Sequence, residues 1–257
     1  MSKETQPRIL MIDIETAPIQ AYVWGIWDQN VGINQIIEPG YTLCWAAKWL
    51  GEPKVTFMSL PKHGKEAMVA KAHEMISEAD AIIHYNGTKF DIPKLQQDFL
   101  LEGLAPASPH FNIDLLQTAR SRFKFPSNKL DYVSQALGLS GKVQNRGMAL
   151  WIECMAGDKQ AWKEMKEYNI QDVLLLEELY AVLRPWIKNH PNLNLWNAKQ
   201  TDHACPSCGS EDVQRRGYSY TKVARYQRYQ CTSCGSWSKS KANDVSKEQR
   251  AATLTGV

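Results

Sequence analysis

A short apolar run near the start of the chain ends in two carboxylates, and this pair restricts the fold more than any other feature. Residues 8–14 are rich in isoleucine, which is typical of a strand buried in a sheet. Asp13 and Glu15 are two positions apart, so on a strand both side chains leave the same face. Charge on a central strand is costly unless it is paired or bound to a metal. The pair therefore indicates a metal site, and a solvated acidic strand is the alternative.

Two further acidic motifs occupy positions where a fold normally favours apolar or neutral residues. Residues 86–91 read Asn-Gly-Thr-Lys-Phe-Asp after a predicted strand at 81–85, so Asp91 begins a helix, where a carboxylate is also a common N-cap. Tyr168 and Asp172 are four residues apart on a helix predicted for residues 159–183 and share one face. That face continues through leucines, so a phenol and a carboxylate conflict with an amphipathic pattern; a Tyr–Asp contact at the core boundary is the alternative.

The remaining patterns predict one α/β domain followed by a small module. Strands are predicted for residues 42–50, 55–60 and 110–113, the first two as a hairpin, and helices for 65–79, 92–102, 115–122 and 130–137. Strands followed by strands mixed with helices give a mixed α/β sheet covered by helices. We expect a domain at residues 1–185, a linker at 186–204, a separate module at 205–238 and a disordered basic tail at 239–257.

Charge is divided unevenly between these regions. Residues 199–257 carry ten Lys or Arg against five Asp or Glu, whereas residues 1–198 carry twenty against twenty-two. A basic module on a neutral-to-acidic body favours an acidic partner such as nucleic acid, and a solvated basic tail is the alternative. No apolar stretch approaches the roughly 20 residues of a membrane span, and the N-terminus lacks a signal-peptide core. We therefore expect a cytoplasmic or nucleoid-associated protein that is neither membrane-bound nor secreted.

Four cysteines form two Cys-x-x-Cys pairs, each followed by glycine, with 22 residues between the pairs. This spacing is typical of a zinc ribbon, in which Cys205, Cys208, Cys231 and Cys234 would hold one structural Zn²⁺; a redox pair is the alternative. Arginines and tyrosines are interleaved between the pairs, with Arg225 and Arg228 among them. Such a segment suits single-stranded nucleic acid, and a ribbon that docks to a protein would also explain it.

Together, the three acidic motifs resemble the DnaQ-like 3′–5′ exonuclease superfamily, whose members have an RNase H-like fold. In that family the first motif is Asp-x-Glu on the first strand, the second ends in Phe or Tyr followed by Asp, with Asn upstream, and the third is Tyr-x-x-x-Asp in one subgroup. Residues 8–185 match in order, spacing and context. The wider sequence is similar to stand-alone nucleases related to the proofreading domain of family B DNA polymerases. The resemblance implies a mixed five-stranded sheet flanked by helices.

The resemblance also implies roles for individual residues. Asp13, Glu15, Asp91 and Asp172 would hold two Mg²⁺ or Mn²⁺ ions, the hard cations that carboxylates select, and Tyr168 would position the attacking water. The residues expected to contact nucleic acid are Thr16, Trp24, Trp27, Asn86, Arg120, Arg122, Arg225 and Arg228. The two tryptophans could stack on bases or could instead form a hydrophobic cover over the sheet.

These observations favour a metal-dependent 3′–5′ exonuclease that releases nucleoside 5′-monophosphates from single-stranded nucleic acid, with DNA preferred. A 3′–5′ exoribonuclease is an alternative, because discrimination depends on contacts to the 2′-hydroxyl group. A non-catalytic nucleic-acid-binding protein is another alternative, although the intact carboxylates argue against it. The last alternative is an accessory subunit that docks to a polymerase or replication protein through the ribbon.

Overall fold

The structure is a computed structural model, which describes residues 6–141, 145–196 and 203–255. The chain divides into two compact units: Arg8–Ala181, here called the body, and the C-terminal unit, which begins at Val182 and also includes the residues before Arg8. Within the described residues, no helix is both long enough and apolar enough to cross a membrane.

The body contains seven strands, seven α-helices and one short 3₁₀ helix, Ile33–Gln35, among its described residues. The strands are β1 Ile9–Thr16, β2 Gln20–Ala21, β3 Ile36–Glu38, β4 Thr42–Trp49, β5 Val55–Ser59, β6 Ala81–His84 and β7 Phe111–Asp114. The helices are α1 Leu60–His63, α2 Lys65–Ser77, α3 Asp91–Leu101, α4 Leu115–Arg122, α5 Leu130–Ala136, α6 Met148–Met155 and α7 Lys159–Leu183, whose last turn crosses into the C-terminal unit.

The central sheet has five strands in the order β5-β4-β1-β6-β7. The strand β1 is at its centre, antiparallel to β4 and parallel to β6, while β5 continues the antiparallel half and β7 the parallel half. A mixed sheet of this kind is the RNase H-like architecture that the sequence predicts. Strands β2 and β3 form a separate two-stranded ribbon.

One face of the sheet is apolar and packs against α2 and α3. Ile12, Ile14 and Trp45 point to this side and meet Met68 and Leu95 in the larger core cluster. The indole of Trp45 donates a hydrogen bond to the carbonyl oxygen of Met68 at 3.0 Å, so its one polar atom is satisfied inside the core. Because side chains alternate along a strand, Asp13 and Glu15 must leave the opposite face.

The opposite face is covered by α6 and α7. Cys44, Cys154 and Met165 pack there with Tyr168 in a smaller cluster. The carboxylate of Asp158 accepts a hydrogen bond from the amide of Ala161 at 2.7 Å and so caps the start of α7. The acidic strand β1 and the helix that carries the third motif therefore share one side of the sheet.

The C-terminal unit is built on a three-stranded antiparallel sheet. Its strands are β8 Val213–Tyr220, β9 Arg225–Cys231 and β10 Trp237–Lys239, in the order β10-β9-β8. Short 3₁₀ helices at Arg184–Trp186 and Leu193–Trp196 occupy part of the predicted linker, of which residues 197–202 lie outside the described residues. The tail predicted as disordered differs, since it contains α8 Lys247–Ala251, which Ser246 caps through a hydrogen bond from the amide of Gln249.

Candidate active site

Three of the predicted carboxylates converge on the α7 side of the sheet. Asp13 and Glu15 project from β1 and Asp172 from α7, and one oxygen from each carboxylate lies within 4.8 Å of the other two. Asp172 is buried, with 3% of its surface exposed. Carboxylates at this spacing repel one another, and their oxygens are the hard ligands that Mg²⁺ and Mn²⁺ prefer. The donor set of this acidic cluster therefore fits a divalent cation.

The helix α7 brings Tyr168 to the acidic cluster because Tyr168 lies one turn before Asp172 on the same face. Tyr168 is buried and its ring meets that of Trp151 edge to face, with the ring centroids 6.1 Å apart. Burial, together with the charge of Asp172, holds the pKa of Tyr168 well above its ordinary value of 10. The phenol therefore keeps its proton at neutral pH and can orient a water molecule, but it cannot remove a proton.

Asn169 is a site residue that the sequence analysis did not single out. It is fully buried, and its side-chain amide donates to the carboxylate of Asp13 at 2.7 Å and to the backbone carbonyl of Asp13 at 3.2 Å. These two bonds fix the orientation of Asp13 from the facing helix. The available signal was an amide side chain on the buried face of α7, directly after Tyr168.

Asp91 lies outside the group of three carboxylates that the described residues form. It is buried at the start of α3 and accepts a hydrogen bond from the backbone amide of Ile14 at 3.1 Å. That amide lies between Asp13 and Glu15 in the chain, so Asp91 is attached to the acidic strand itself. Burial raises the pKa of Asp91 to about 6, although the bond from Ile14 opposes the shift.

A buried hydrogen-bond network shapes the turn that carries Asp91. The amide of Asn86, which has a positive φ of 72°, donates to the carboxylate of Asp114 at 3.0 Å, and the amide of Gly87 donates to Nδ1 of His84 at 3.1 Å. Because Nδ1 accepts, the ring proton of His84 is on Nε2, which lies 3.1 Å from the side-chain oxygen of Asn112. Burial lowers the pKa of His84 and keeps it neutral, so it acts as a support for this turn.

Asp114 caps the helix α4 and has a second role. Its carboxylate accepts hydrogen bonds from the amides of Leu116 and Gln117 at the start of α4. The same oxygen accepts from the Asn86 amide, so one carboxylate joins α4 to the turn before Asp91. This link to the turn depends on the pairing of β6 with β7, which places Asp114 beside His84.

The tryptophans predicted to contact nucleic acid are among the most exposed residues of the protein. Trp24 is 99% exposed and Trp27 is 82% exposed, in the segment between β2 and β3. The interpretation as a hydrophobic cover over the sheet is therefore wrong. Thr16 ends β1 directly after Glu15, whereas Arg120 and Arg122 lie in the last turn of α4.

A groove lined by lysines was not anticipated. It has a volume of about 830 Å³ and lies between β5 with α1 on one side and α7 on the other. Its lining includes Phe57 and the lysines Lys62, Lys159, Lys163 and Lys166. Phe57 pairs with Ala46, which pairs with Asp13, so all three side chains leave the same face of the sheet. At about 4.8 Å per strand, the backbone of Phe57 in the groove lining is about 10 Å from that of Asp13.

The four cysteines of the C-terminal unit meet at one point, with their sulfur atoms all within 4.8 Å of one another. Cys205 and Cys234 are 3.7 Å apart at sulfur, as are Cys208 and Cys231. A tetrahedral Zn²⁺ site with Zn–S bonds of about 2.3 Å requires sulfur separations of about 3.8 Å, so the group fits zinc.

The two cysteine turns also have the same backbone geometry. In each, the amide of the first cysteine bonds to the carbonyl of the serine five residues later. The glycine four residues after that cysteine bonds back to its carbonyl; these glycines, Gly209 and Gly235, have φ values of 76° and 79°. Glycine adopts this left-handed conformation without strain, which explains its place after each pair.

The mixed sheet with carboxylates gathered on its central strand and facing helix defines the body as an RNase H-like α/β domain. A family model of the RNase H superfamily matches residues 10–184, and the chain belongs to that superfamily.

A comparison with solved structures gives the same fold. The chain is similar to the family B DNA polymerase from the hyperthermophilic archaeon Pyrobaculum calidifontis, with a TM-score of 0.51 and 15% sequence identity. The match covers 70% of this chain and 26% of the polymerase, so the chain spans about a quarter of the polymerase's length. No curated protein sequence matches the chain.

Proposed function

We propose that the protein is a divalent-metal-dependent 3′–5′ exonuclease that hydrolyses single-stranded nucleic acid, with DNA preferred. The observation that carries this proposal is the convergence of Asp13, Glu15 and Asp172 within 4.8 Å, beside a buried tyrosine on the same helix face. Membership of the RNase H superfamily supports a nuclease in general. The direction of digestion and the preferred sugar are part of the proposal.

The reaction adds water to the terminal phosphodiester. A water oxygen bonds to phosphorus, the bond from phosphorus to the 3′-oxygen of the penultimate nucleotide breaks, and that oxygen gains a proton. When bound, two Mg²⁺ or Mn²⁺ ions would supply activation of the water and stabilisation of the leaving oxygen. Asp13, Glu15 and Asp172 would hold the ions, and Asp91 would complete the ligand set from its place beside Ile14.

The other residues of the site orient the reacting groups. Tyr168, as a neutral phenol, would hydrogen-bond the attacking water and set its direction toward phosphorus. Asn169 would keep the carboxylate of Asp13 in one orientation through its bond of 2.7 Å. Trp24 and Trp27 are largely exposed, which suits stacking on bases without regard to sequence.

The lysine-lined groove is our candidate for the path of the strand away from the site. It lies on the same face of the sheet as Asp13, and Lys62, Lys159, Lys163 and Lys166 provide a row of cations for phosphates. Replacing Lys163 and Lys166 by Gln should raise KM for long strands and reduce its salt dependence, while kcat stays the same. An unchanged KM on long strands would exclude this path.

The central test is digestion of 5′-labelled single strands of DNA and of RNA with Mg²⁺ or Mn²⁺. The wild type is compared with Asp13→Asn and Asp172→Asn, which keep the shape and remove the charge. Glu167→Gln is the matched control, because Glu167 is an exposed acid on the same helix. We expect a ladder that shortens from the 3′ end, abolished in both Asn variants and retained in the control.

Each result of this test has a distinct meaning. Preferential digestion of RNA would replace the proposed substrate with the exoribonuclease alternative. Retained binding of both polymers without any cleavage would favour a non-catalytic or accessory role. Equal activity in Asp172→Asn and wild type would overturn the proposed site.

A further inference from the structure

One face of the C-terminal sheet combines cations with two aromatic rings, one exposed and one half-buried. On β9, Tyr226 and Arg228 point to the same side, because they are two residues apart. Lys239 pairs with Arg228, and Trp237 pairs with Gln230, so both β10 residues join that side. We call Tyr226, Arg228, Trp237 and Lys239 the Trp237 face.

The four side chains of the Trp237 face form two cation–π pairs. The guanidinium carbon of Arg228 lies 4.8 Å from the ring centroid of Trp237, and the ammonium of Lys239 lies 4.7 Å from that of Tyr226. Trp237 still has 52% of its surface exposed. Each ring is therefore held by a neighbouring cation, which limits its freedom before any ligand binds and lowers the entropy cost of stacking.

The neighbouring positions of this face are uncharged or basic. The residues that complete it by strand pairing are Gln214, Ser219 and Gln230, and the guanidinium of Arg216 reaches Gln214 at 2.9 Å. None of the paired positions is acidic. A surface of cations, planar rings and amides suits phosphates and bases together.

The opposite face of the same sheet is occupied by the unit's own contacts. Arg225 is paired with Asp244 at 2.6 Å and lies over the ring of Tyr218 at 4.5 Å. Tyr229 is buried and stacks on His203 with 5.2 Å between ring centroids, and Cys231 belongs to the cysteine group. The two ribbon arginines predicted to bind nucleic acid are thus on different faces, and only Arg228 is on the Trp237 face.

We propose that the Trp237 face binds single-stranded nucleic acid as a second site, in addition to the acidic cluster. Bases stack on Trp237 and Tyr226, while Arg228 and Lys239 contact phosphates. Stacking does not read sequence, since every base has a flat face, so this site holds the strand without selecting it. The inference extends the proposed function without depending on it, because binding is measured in the absence of cleavage.

The test measures binding of a labelled oligothymidylate by fluorescence anisotropy. It uses the full zinc-loaded chain carrying Asp13→Asn, without Mg²⁺ or Mn²⁺, so that no digestion occurs. Trp237→Ala should weaken binding roughly 5- to 150-fold, the range for loss of one stacked base. Arg228→Ala should weaken it and reduce the salt dependence by about 0.7 in log–log slope, as expected for one lost phosphate contact on a single strand.

Two variants separate a specific effect from a folding defect. Tyr220→Ala is the matched control, since Tyr220 is 70% exposed and pairs with Arg225 on the opposite face; it should bind as the parent does. Trp237→Phe keeps a ring and should restore most of the affinity. The zinc content of every variant is measured and should stay at one ion per chain. If Trp237→Ala or Arg228→Ala loses zinc, Lys239→Gln takes its place in the comparison.

Several results would overturn the inference. Equal binding by Trp237→Ala and Tyr220→Ala would show that the Trp237 face does not hold the strand. Unchanged nucleic-acid affinity together with lost binding to a purified replicative polymerase would assign the face to a protein partner. Weakened binding by Trp237→Ala in a chain that proves to have no nuclease activity would uphold this inference and reject the proposed function alone.

Discussion

Replacing Asn169 by Ala should damage the acidic cluster without touching any carboxylate. The change removes a hydrogen bond of 2.7 Å to the Asp13 carboxylate and one of 3.2 Å to the Asp13 backbone. A bond to a charged group contributes about 1.5–3 kcal/mol and a neutral one about 0.5–1.5 kcal/mol. Because Asn169 is fully buried, water cannot replace these bonds readily, and we expect a loss of roughly 2–4 kcal/mol in unfolding free energy.

The effect on metal binding is separate from the effect on stability. Hydrogen-bond partners that orient metal ligands typically affect metal affinity or activity about 10- to 100-fold. In Asn169→Ala, Asp13 can rotate away from Glu15 and Asp172, so the Mg²⁺ concentration for half-maximal digestion should rise by that factor. The rate at saturating Mg²⁺ should recover most of its wild-type value, because the ligands themselves remain.

The assay combines Mg²⁺ titration of digestion rates with urea unfolding of the same preparations. Gln171→Ala is the matched control, since it removes an amide side chain from α7 at a partly exposed position. A variant with reduced stability but an unchanged Mg²⁺ requirement would show that Asn169 supports only the fold. A variant unchanged in both would refute the geometry described for Asn169 and Asp13.

Three further predictions concern the supports of the two units. Gly87→Ala would bring a methyl group to 2.4 Å from the ring of His84, so we expect a loss of about 1–3 kcal/mol in urea unfolding, whereas the exposed neighbouring position Thr88→Ala should be neutral. Glu177→Ala leaves the buried ammonium of Lys48 without its partner at 2.6 Å and should lower the unfolding free energy by about 2–3 kcal/mol. The double variant with Lys48→Met should recover most of this loss, and equal stability of the single and the double variant would refute the reasoning. Removal of zinc by a chelator should make residues 205–239 sensitive to protease while the fragment 8–181 stays resistant, and unchanged resistance of both would contradict the zinc assignment.

The sequence predicts the parts of the fold that have a clear period or a clear boundary. The hairpin of β4 and β5, the helix α2 and the 25-residue helix α7 were all predicted, because their apolar positions repeat regularly. The helix α6 was not, since its eight residues are apolar on nearly every side and give no period. Strands β2 and β3 have only two and three residues, too few for a recognisable alternation.

The site shows the same division between local and tertiary information. Asp13 and Glu15 share a face because side chains alternate along a strand, and Tyr168 and Asp172 share a face because they are one helical turn apart. The contact of Asn169 with Asp13 depends instead on how α7 crosses β1, which joins residues 156 positions apart. Likewise, the position of the lysine-lined groove relative to Asp13 depends on the strand order β5-β4-β1, which cannot be read from any one stretch of the sequence.

Two neutral groups donate hydrogen bonds to these carboxylates: the side-chain amide of Asn169 to Asp13, and the backbone amide of Ile14 to Asp91. A lysine or arginine could orient these carboxylates as well. It would also cancel their charge, since two unit charges about 4 Å apart interact by roughly 4 kcal/mol at an effective dielectric constant of 20. These two neutral donors therefore fix the orientation of the carboxylates without adding a positive charge of their own.

The pKa of Asp91 is a consequence of this arrangement. A buried carboxylate held by neutral amides receives too little compensation for the loss of water, and its pKa rises to about 6. Direct contact with a cation would reverse that shift, because an opposite charge favours the ionised form. The raised pKa of Asp91 and the crowding of Asp13, Glu15 and Asp172 are both conditions that the proposed divalent cations would relieve.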